Sequence, residues 1–199
     1  MTDLFPVFLK LAGRPVLLVG GGKVAASKLE ALRRARARVT VVAPRIAAPI
    51  VASGVRIVRR RFRASDLDRQ WLVISAATPA VNRQVARAAA LRRLFVNAVD
   101  DPAHASAYLG GVLRRSGVTV AVSTDGHAPA LAGLLREGLE AVLPDDLNRW
   151  FATARRVRRG WKAGGVPMPS RRPQLLAALN RLYGAAGRDP AGEMRTNGR

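Results

Sequence analysis

The chain has 199 residues and a mass of 21.3 kDa, and its 49% hydrophobic and 24% charged residues exclude wholesale disorder and predict one or two domains with a real core. It has no Cys and only two His, so disulfides, thiolate metal sites and cysteine nucleophiles are excluded, and we expect no bound metal. The formal net charge of +21, from 34 basic and 13 acidic residues, predicts a polyanionic partner.

The composition also ranks the classes of partner. No apolar run approaches the roughly 18–20 residues that cross a bilayer, and no leader pattern opens the sequence, so we expect a cytoplasmic protein without a membrane partner. Aromatic residues make up only 5%, so stacking platforms for nucleic acid are scarce and we expect no nucleic-acid partner. Arg forks suit a small substrate rich in carboxylates, although arginines that only solvate the surface would give the same charge.

The first predicted elements form a strand, a glycine turn, a helix and a second strand. Pro15–Val19 is a short apolar strand that three glycines end abruptly, and an amphipathic helix begins at Lys23. Arg38–Ala43 is the second strand and stops at Pro44. This order is typical of the opening of a Rossmann-like, doubly wound parallel sheet of the α/β class.

The next elements continue the parallel sheet. Val55–Val58 is an edge-like strand, and Leu72–Ala77 is continuously apolar, as a strand buried on both faces is. An Ala-rich helix over Asn82–Arg93 leads to a fifth strand over Phe95–Val99. That strand is halted by the sequence Asp100-Asp101-Pro102.

The last part of the chain has a different pattern. Strands over Tyr108–Leu113 and Val118–Ser123 are joined by a tight turn, and an amphipathic helix with four leucines follows. Asp145 or Asp146 is expected to cap the next helix. Two more helices are predicted over Leu147–Arg159 and Gln174–Tyr183, joined by residues 164–169, with a frayed final dozen. We divide the chain into regions 1–112, 113–146 and 147–199, the last one being strongly basic.

The sequence Gly20-Gly21-Gly22-Lys23-Val24-Ala25 matches the dinucleotide pattern G-x-G-x-x-G/A between a strand and a helix. In that pattern the first glycine makes the turn, the second lets backbone approach a pyrophosphate, and Ala25 allows close helix–strand packing. The phosphate then lies among free N–H groups at the helix N-terminus. A glycine turn that only packs a helix closely is the alternative.

The acid expected at the end of the second strand is missing, because the sequence there is Ala43-Pro44-Arg45. Arg45 would suit the 2′-phosphate of NADP, or it would line the adenosine pocket or face solvent. These residues alone leave NAD and NADP equally open.

Two further places carry chemistry. Asp100 ends the fifth strand, at the sheet edge where open α/β folds bind ligands, and its carboxylate is suited to take a proton. Its alternative role is to cap the turn before Pro102. The segment Ser123–Pro129 forms a second strand–glycine–helix corner around Thr124, which is either an anion site or a plain capped loop.

At this point several separated motifs, in register, resemble the precorrin-2 dehydrogenase/sirohydrochlorin ferrochelatase family, the siroheme-making module of siroheme synthase. The resemblance covers about residues 3–145 and extends weakly to Tyr183. It is carried by Phe5-Pro6-Val7-Phe8, Val16 to Ala25, Thr40 to Pro44, Ser75 to Thr78, Asn97 to Asp100 and Ala121 to Gly126.

The resemblance implies NAD-dependent oxidation of precorrin-2, with Fe²⁺ insertion left open. It also implies a homodimer built as a Rossmann domain, a small α+β dimerisation region and a helical C-terminal tail. It favours NAD over NADP. It places cofactor contacts at Lys23, Val24, Pro44, Arg45 and Thr78, the key acid at Asp100, and substrate contacts at Asn97, Ser123, Thr124 and Gly126. A non-catalytic nucleotide-sensing module is the alternative function.

Overall fold

The structure, a computed structural model, describes residues 4–184. Within that range the chain forms two compact units. The first holds the residues up to Gly111 together with Val122–Gly133, and the second holds Val112–Ala121 and the residues from Leu134 onward. The functional division into regions 1–112, 113–146 and 147–199 stays a prediction.

The first unit is built on a five-stranded parallel sheet in the order β3-β2-β1-β4-β5. From β1 the chain adds β2 and β3 on one side and then returns to add β4 and β5 on the other. The order therefore reverses between β1 and β4, where open α/β sheets bind ligands at the carboxyl ends of their strands. The strands are β1 (Pro15–Val19), β2 (Arg38–Val42), β3 (Arg56–Val58), β4 (Leu72–Ser75) and β5 (Val96–Ala98).

Helices cover both faces of this sheet, as the expected α/β fold requires. Alternate strand residues point to opposite faces, so Val16 and Leu18 pack toward α1 (Lys23–Arg34) and α2 (Ala48–Val51). Leu17 and Val19 pack toward the face covered by α3 (Pro79–Ala90). The predicted continuous apolar strands follow from this burial on two faces.

The start of α3 corrects the sequence prediction. The helix begins at Pro79 and not at Asn82, because the fixed φ of Pro suits the first helical position, where no N–H is needed. It ends at Ala90 and not at Arg93, which adopts a left-handed φ of 55° in the turn that follows. The short helix α2 and the 3₁₀ turns at Ala64–Leu67 and Pro102–His104 were not predicted.

A hairpin follows, formed by β6 (Gly111–Arg115) and β7 (Val118–Val122). The predicted strands leave residues 114–117 as the turn between them. That prediction is wrong, since only Ser116 and Gly117 lie between the observed strands. Both have positive φ, 51° and 82°, as the two central residues of a type I′ turn do. The hairpin leads through a loop into the predicted amphipathic helix, α4 (Pro129–Val142).

The second unit contains the antiparallel helix pair α5 (Leu147–Ala163) and α6 (Met168–Gly184). The prediction of a linker up to residue 169 is wrong, because α6 begins at Met168 and accommodates Pro169 in its first turn. Asp146 occupies the N-cap position of α5 without a capping hydrogen bond, and its carboxylate instead accepts one from the Tyr183 hydroxyl at 3.1 Å. The predicted frayed final dozen lies outside the described residues.

Candidate functional site

The glycine corner, Gly20–Gly22, joins β1 to α1 and is packed against the neighbouring loops. A Cβ on Gly20 would lie 2.1 Å from the Ala76 carbonyl oxygen, and one on Gly21 would lie 2.0 Å from that of Arg45. Only glycine allows backbones to approach this closely. The corner therefore brings together the loops that follow β1, β2 and β4.

Gly22 differs from its two neighbours because a Cβ there would meet no atom of residues 4–184 within 4 Å. Its φ of −88° is also open to any residue, so neither packing nor backbone conformation requires a glycine at this position. It is the N-cap of α1, whose first turn contains no acid and whose first N–H groups have no helical acceptor. Free donors, open space and a positive helix end fit a pyrophosphate.

The other predicted cofactor residues surround this corner. Lys23 and Val24 are exposed in the first turn of α1, and Pro44 and Arg45 are exposed in the loop packed on Gly21. Thr78 is exposed at the N-cap of α3, two residues after the Ala76 carbonyl that contacts Gly20. The structure places all of them at the carboxyl ends of β1, β2 and β4, and their contacts with a cofactor stay predictions.

The buried side chain of Asn82, which sequence reasoning missed, connects the carboxyl ends of β4 and β5. Its Oδ1 accepts hydrogen bonds from the Ser75 hydroxyl at 2.7 Å and from the Ala77 N–H at 3.2 Å. Its Nδ2 donates to the Val99 carbonyl oxygen at 3.2 Å. Because only 2% of Asn82 is exposed, these bonds fix the loop after β4 relative to the turn that carries Asp100.

We expect Asn82→Ala to lower the free energy of unfolding by about 2–4 kcal/mol, because one buried and two partly buried polar groups would lose their partner. Asn148→Ala is the matched control, since Asn148 is exposed and, among the described residues, its side chain accepts just a local bond from the Arg149 N–H. Denaturant unfolding of both variants measures the difference. Equal small losses in the two proteins would contradict the bridging role of Asn82.

A pocket of about 230 Å³ lies beside the carboxyl end of β5. Its lining comes from the first unit: α1, β5 and the turn after it, the segment that ends at the start of β6, and the loop that leads into the start of α4. The pocket is smaller than the roughly 300–1,000 Å³ of sites that enclose a ligand, so it suits one edge of a large molecule. Its polar lining residues are Lys28, Asn97, Asp100, Asp101, Tyr108, Ser123 and Thr124.

Asp100 is exposed on this pocket in the left-handed conformation, with a φ of 56°. Asp tolerates this region better than most residues, and such backbone strain persists where surrounding structure holds it. Within residues 4–184 its carboxylate takes part in no hydrogen bond or ion pair. The neighbouring Asp101 carboxylate is engaged instead, 2.7 Å from His104 Nδ1. The turn-cap alternative for Asp100 therefore has no hydrogen bond to support it.

The predicted substrate residues line the same pocket. Asn97 is 7% exposed and donates through Nδ2 to the Ala107 carbonyl oxygen at 2.9 Å, while its buried Oδ1 has no donor among the described residues. The Ser123 hydroxyl accepts from the Asp125 N–H, and the Thr124 hydroxyl accepts from the Ala128 N–H at 3.3 Å. Each hydroxyl keeps its proton free to donate.

Gly126 joins this loop to the Asp100 turn. Its φ is 78°, and a Cβ on it would lie 3.0 Å from the Tyr108 ring and 3.1 Å from Pro102. Tyr108 in turn donates its hydroxyl to the Pro102 carbonyl oxygen at 3.1 Å. The structure thus brings Asp100 and the predicted substrate loop together, and their contacts with a substrate stay predictions.

Lys28 and Tyr108 are the polar lining residues that sequence reasoning missed. Lys28 could have been noticed as a charged residue at the helical spacing of the buried residues of α1. No sequence pattern points to Tyr108, because its position in the pocket depends on the fold. A larger cavity, of about 490 Å³, lies between α3 and residues 103–106 and contains none of the predicted site residues. Within residues 4–184 no three His, Asp or Glu residues form a metal cluster, and no helix has the length and apolarity to cross a membrane.

Comparison with known proteins agrees with this geometry. A family model described as "Putative NAD(P)-binding" matches residues 7–111, which span the glycine corner and the Asp100 turn. Siroheme synthase 1 of Aeromonas hydrophila subsp. hydrophila is 40% identical over 166 residues, and Siroheme synthase 2 of Cronobacter sakazakii is 43% identical over 175 residues. These alignments cover 81% and 85% of this chain, but only 36% and 38% of the relatives.

A solved structure named "SirC, precorrin-2 dehydrogenase" matches with a TM-score of 0.69 and 25% identity, covering 87% of this chain and 88% of that one. Its match confirms the expected fold class, and the family match confirms a nicotinamide cofactor. The resemblance that the sequence motifs indicated is confirmed as well. The chain therefore belongs to the siroheme synthase and precorrin-2 dehydrogenase family, with an NAD(P)-binding region at residues 7–111.

Proposed function

We propose that this chain oxidises precorrin-2 to sirohydrochlorin with NAD. The observation that carries the proposal is the Asp100 carboxylate, which has no partner within residues 4–184 and lines a pocket at the same sheet edge as the glycine corner. The names of the relatives, siroheme synthase and precorrin-2 dehydrogenase, support this choice of substrate. Because the chain spans less than two fifths of those two siroheme synthases, activities of the parts that it does not match are not assigned to it.

The reaction removes one hydride and one proton from the substrate. When bound, the nicotinamide supplies the hydride acceptor, so the chain's own task is to orient the substrate and take the proton. The glycine corner and the N-terminus of α1 would hold the pyrophosphate. Asp100 would accept the proton of a ring nitrogen as the hydride leaves carbon. Reactants and products then balance as precorrin-2 and NAD⁺ giving sirohydrochlorin, NADH and H⁺.

NAD rather than NADP is part of this proposal. The resemblance to the family favours NAD, whereas Arg45 at the end of β2 would suit either cofactor. A comparison of the kcat/KM values for NAD and NADP, at saturating substrate, measures the preference. A higher value for NADP would assign Arg45 to the 2′-phosphate.

Insertion of Fe²⁺ is a second reaction that we propose for the same pocket. Iron entry displaces two pyrrole protons, and the Asp100 carboxylate, without a partner among the described residues, would accept them one after the other and release each to water. Iron is a substrate here, so a permanent cluster of protein ligands is not needed.

We also propose that the chain forms a homodimer. One face of α4 exposes large apolar side chains that a second copy would cover. They are Leu131, Leu134, Leu135, Leu139 and Val142. The cytoplasmic location expected from the sequence stays a prediction.

The test is anaerobic incubation of the full chain with precorrin-2 and NAD, followed by addition of Fe²⁺. We expect NADH absorbance at the first stage and a change in the macrocycle's spectrum at each stage. Binding of NAD without any oxidation would favour the nucleotide-sensing module instead. Salt-sensitive retardation of DNA or RNA in a gel, without oxidation, would favour a nucleic-acid binder.

A further inference from the structure

The charge lining the Asp100 pocket is unlike that of the chain as a whole. The sequence has 34 basic residues, yet Lys28 is the one Lys or Arg among the residues that line this pocket. Asp100 and Asp101 face the same space. A substrate rich in carboxylates would therefore approach two carboxylates with a single cation to offset the repulsion.

The position of Lys28 on α1 explains why this residue lines the pocket. Residues three and four apart share one face of a helix, and Lys28 follows Ala25 by three and precedes Leu32 by four. Both of those residues are buried against the sheet. Lys28 thus lies at the border of the buried stripe, and the residue is half-buried.

The amine of Lys28 has no partner in the described part of the chain. No hydrogen bond or ion pair within residues 4–184 involves it, whereas the exposed Arg34 on the same helix pairs with Glu30. The amine of a half-buried Lys without a protein partner is available to pair with a carboxylate that a ligand brings to the pocket.

The register of Asn97 shows on which face of the sheet the pocket lies. Asn97 is paired in register with Ile74, whose side chain belongs to the cluster packed beneath α1. The pocket therefore opens on the α1 face of β5, between Lys28 and the turn that carries Asp100. A ligand edge that enters it meets a cation and a free carboxylate together.

We propose that Lys28 binds a side-chain carboxylate of the tetrapyrrole and so fixes which edge of the macrocycle meets Asp100. The inference rests on the proposed function, because it takes its polycarboxylate from there. Since the amine is a compact point charge, it anchors one carboxylate without the two-point grip of an Arg. Lys28 is a binding residue in this scheme and takes part in no bond-making step.

The test compares Lys28→Met with Lys28→Arg in the oxidation assay. Met keeps the stem and removes the charge, so the KM for precorrin-2 should rise roughly 10- to 100-fold, as expected for a lost charge-assisted hydrogen bond. The kcat should stay within about 3-fold, and NAD affinity should not change. Lys28→Arg should restore most of the KM. The matched control is Arg33→Met, which removes an exposed charge elsewhere on α1 and should leave the KM unchanged.

A second measurement separates this inference from the proposed function. Uroporphyrin carries eight carboxylates, and its binding is measured by fluorescence without any turnover. Weaker binding in Lys28→Met supports the anchor even where the wild type oxidises nothing, an outcome that would overturn the oxidation alone. An unchanged KM and unchanged uroporphyrin binding in Lys28→Met would overturn the anchor, as would equal losses in Arg33→Met.

Discussion

Asp100→Asn should slow oxidation of precorrin-2 by about 10²–10⁴-fold, the usual contribution of a general base, while NAD still binds. Asn keeps the size of the side chain and tolerates the left-handed φ of 56° as well as Asp does, but it cannot take a proton. The measurement is the single-turnover rate of NADH formation under anaerobic conditions, with NAD affinity determined separately by calorimetry.

Stability provides the control for this variant. The Asp100 carboxylate has no partner within residues 4–184, so the free energy of unfolding should change by less than about 0.5 kcal/mol. Asp145→Asn is the matched substitution, since the Asp145 side chain is fully exposed, and it should leave both rate and stability unchanged. Oxidation within a few-fold of wild type would demote Asp100 to a turn residue. Loss of Fe²⁺ insertion alone would assign the two reactions to different residues.

The central sheet and the glycine corner could be predicted from the sequence because their signals are local. Strands buried on two faces are continuously apolar, and glycines or prolines end them, so β1 and β2 were located to within one residue. The helix α1 was predicted from its first residue, since Lys23 directly follows the glycines. The start of α3 was missed because Pro79 was not recognised as a first helical residue.

The pocket could be predicted only in part, since its walls come from distant parts of the chain. Asp100 and the loop around Thr124 were found from strand ends and glycine corners. Lys28 comes from α1, 72 residues before Asp100, and no local pattern connects the two. The link made by Asn82 between the loop after β4 and Val99 likewise depends on strand order, which a local pattern does not specify.

The origin of the pocket's walls explains why this Arg-rich chain has a pocket with a single basic residue among its described lining residues. The pocket is assembled from the end of β5 and several connecting segments of the first unit, and the one cation among its described lining residues comes from the flank of the packed helix α1. The large positive charge lies elsewhere, on exposed surface such as the arginines of α5. Long-range attraction of an anionic substrate and its local orientation are therefore assigned to different residues.

Gly22→Asp should abolish measurable NAD binding, lowering the affinity by roughly 100-fold or more, because a carboxylate would occupy the space in which the pyrophosphate is expected. The protein itself should tolerate the change. A Cβ on Gly22 meets no atom within 4 Å, its φ is −88°, and Asp is a favourable N-cap residue, so the melting temperature should stay the same or rise.

The adjacent glycine provides the contrasting variant. A Cβ on Gly21 would lie 2.0 Å from the Arg45 carbonyl oxygen, so Gly21→Ala should lower the melting temperature, whereas Gly22→Ala should leave it unchanged. Calorimetric titration with NAD and a thermal melt on all three variants separate loss of binding from loss of fold. Wild-type affinity in a folded Gly22→Asp protein would show that the pyrophosphate does not lie at this corner. Loss of NAD binding at an unchanged melting temperature would place the pyrophosphate at the glycine corner. The added carboxylate would then be shown to displace the cofactor and not to disturb the fold.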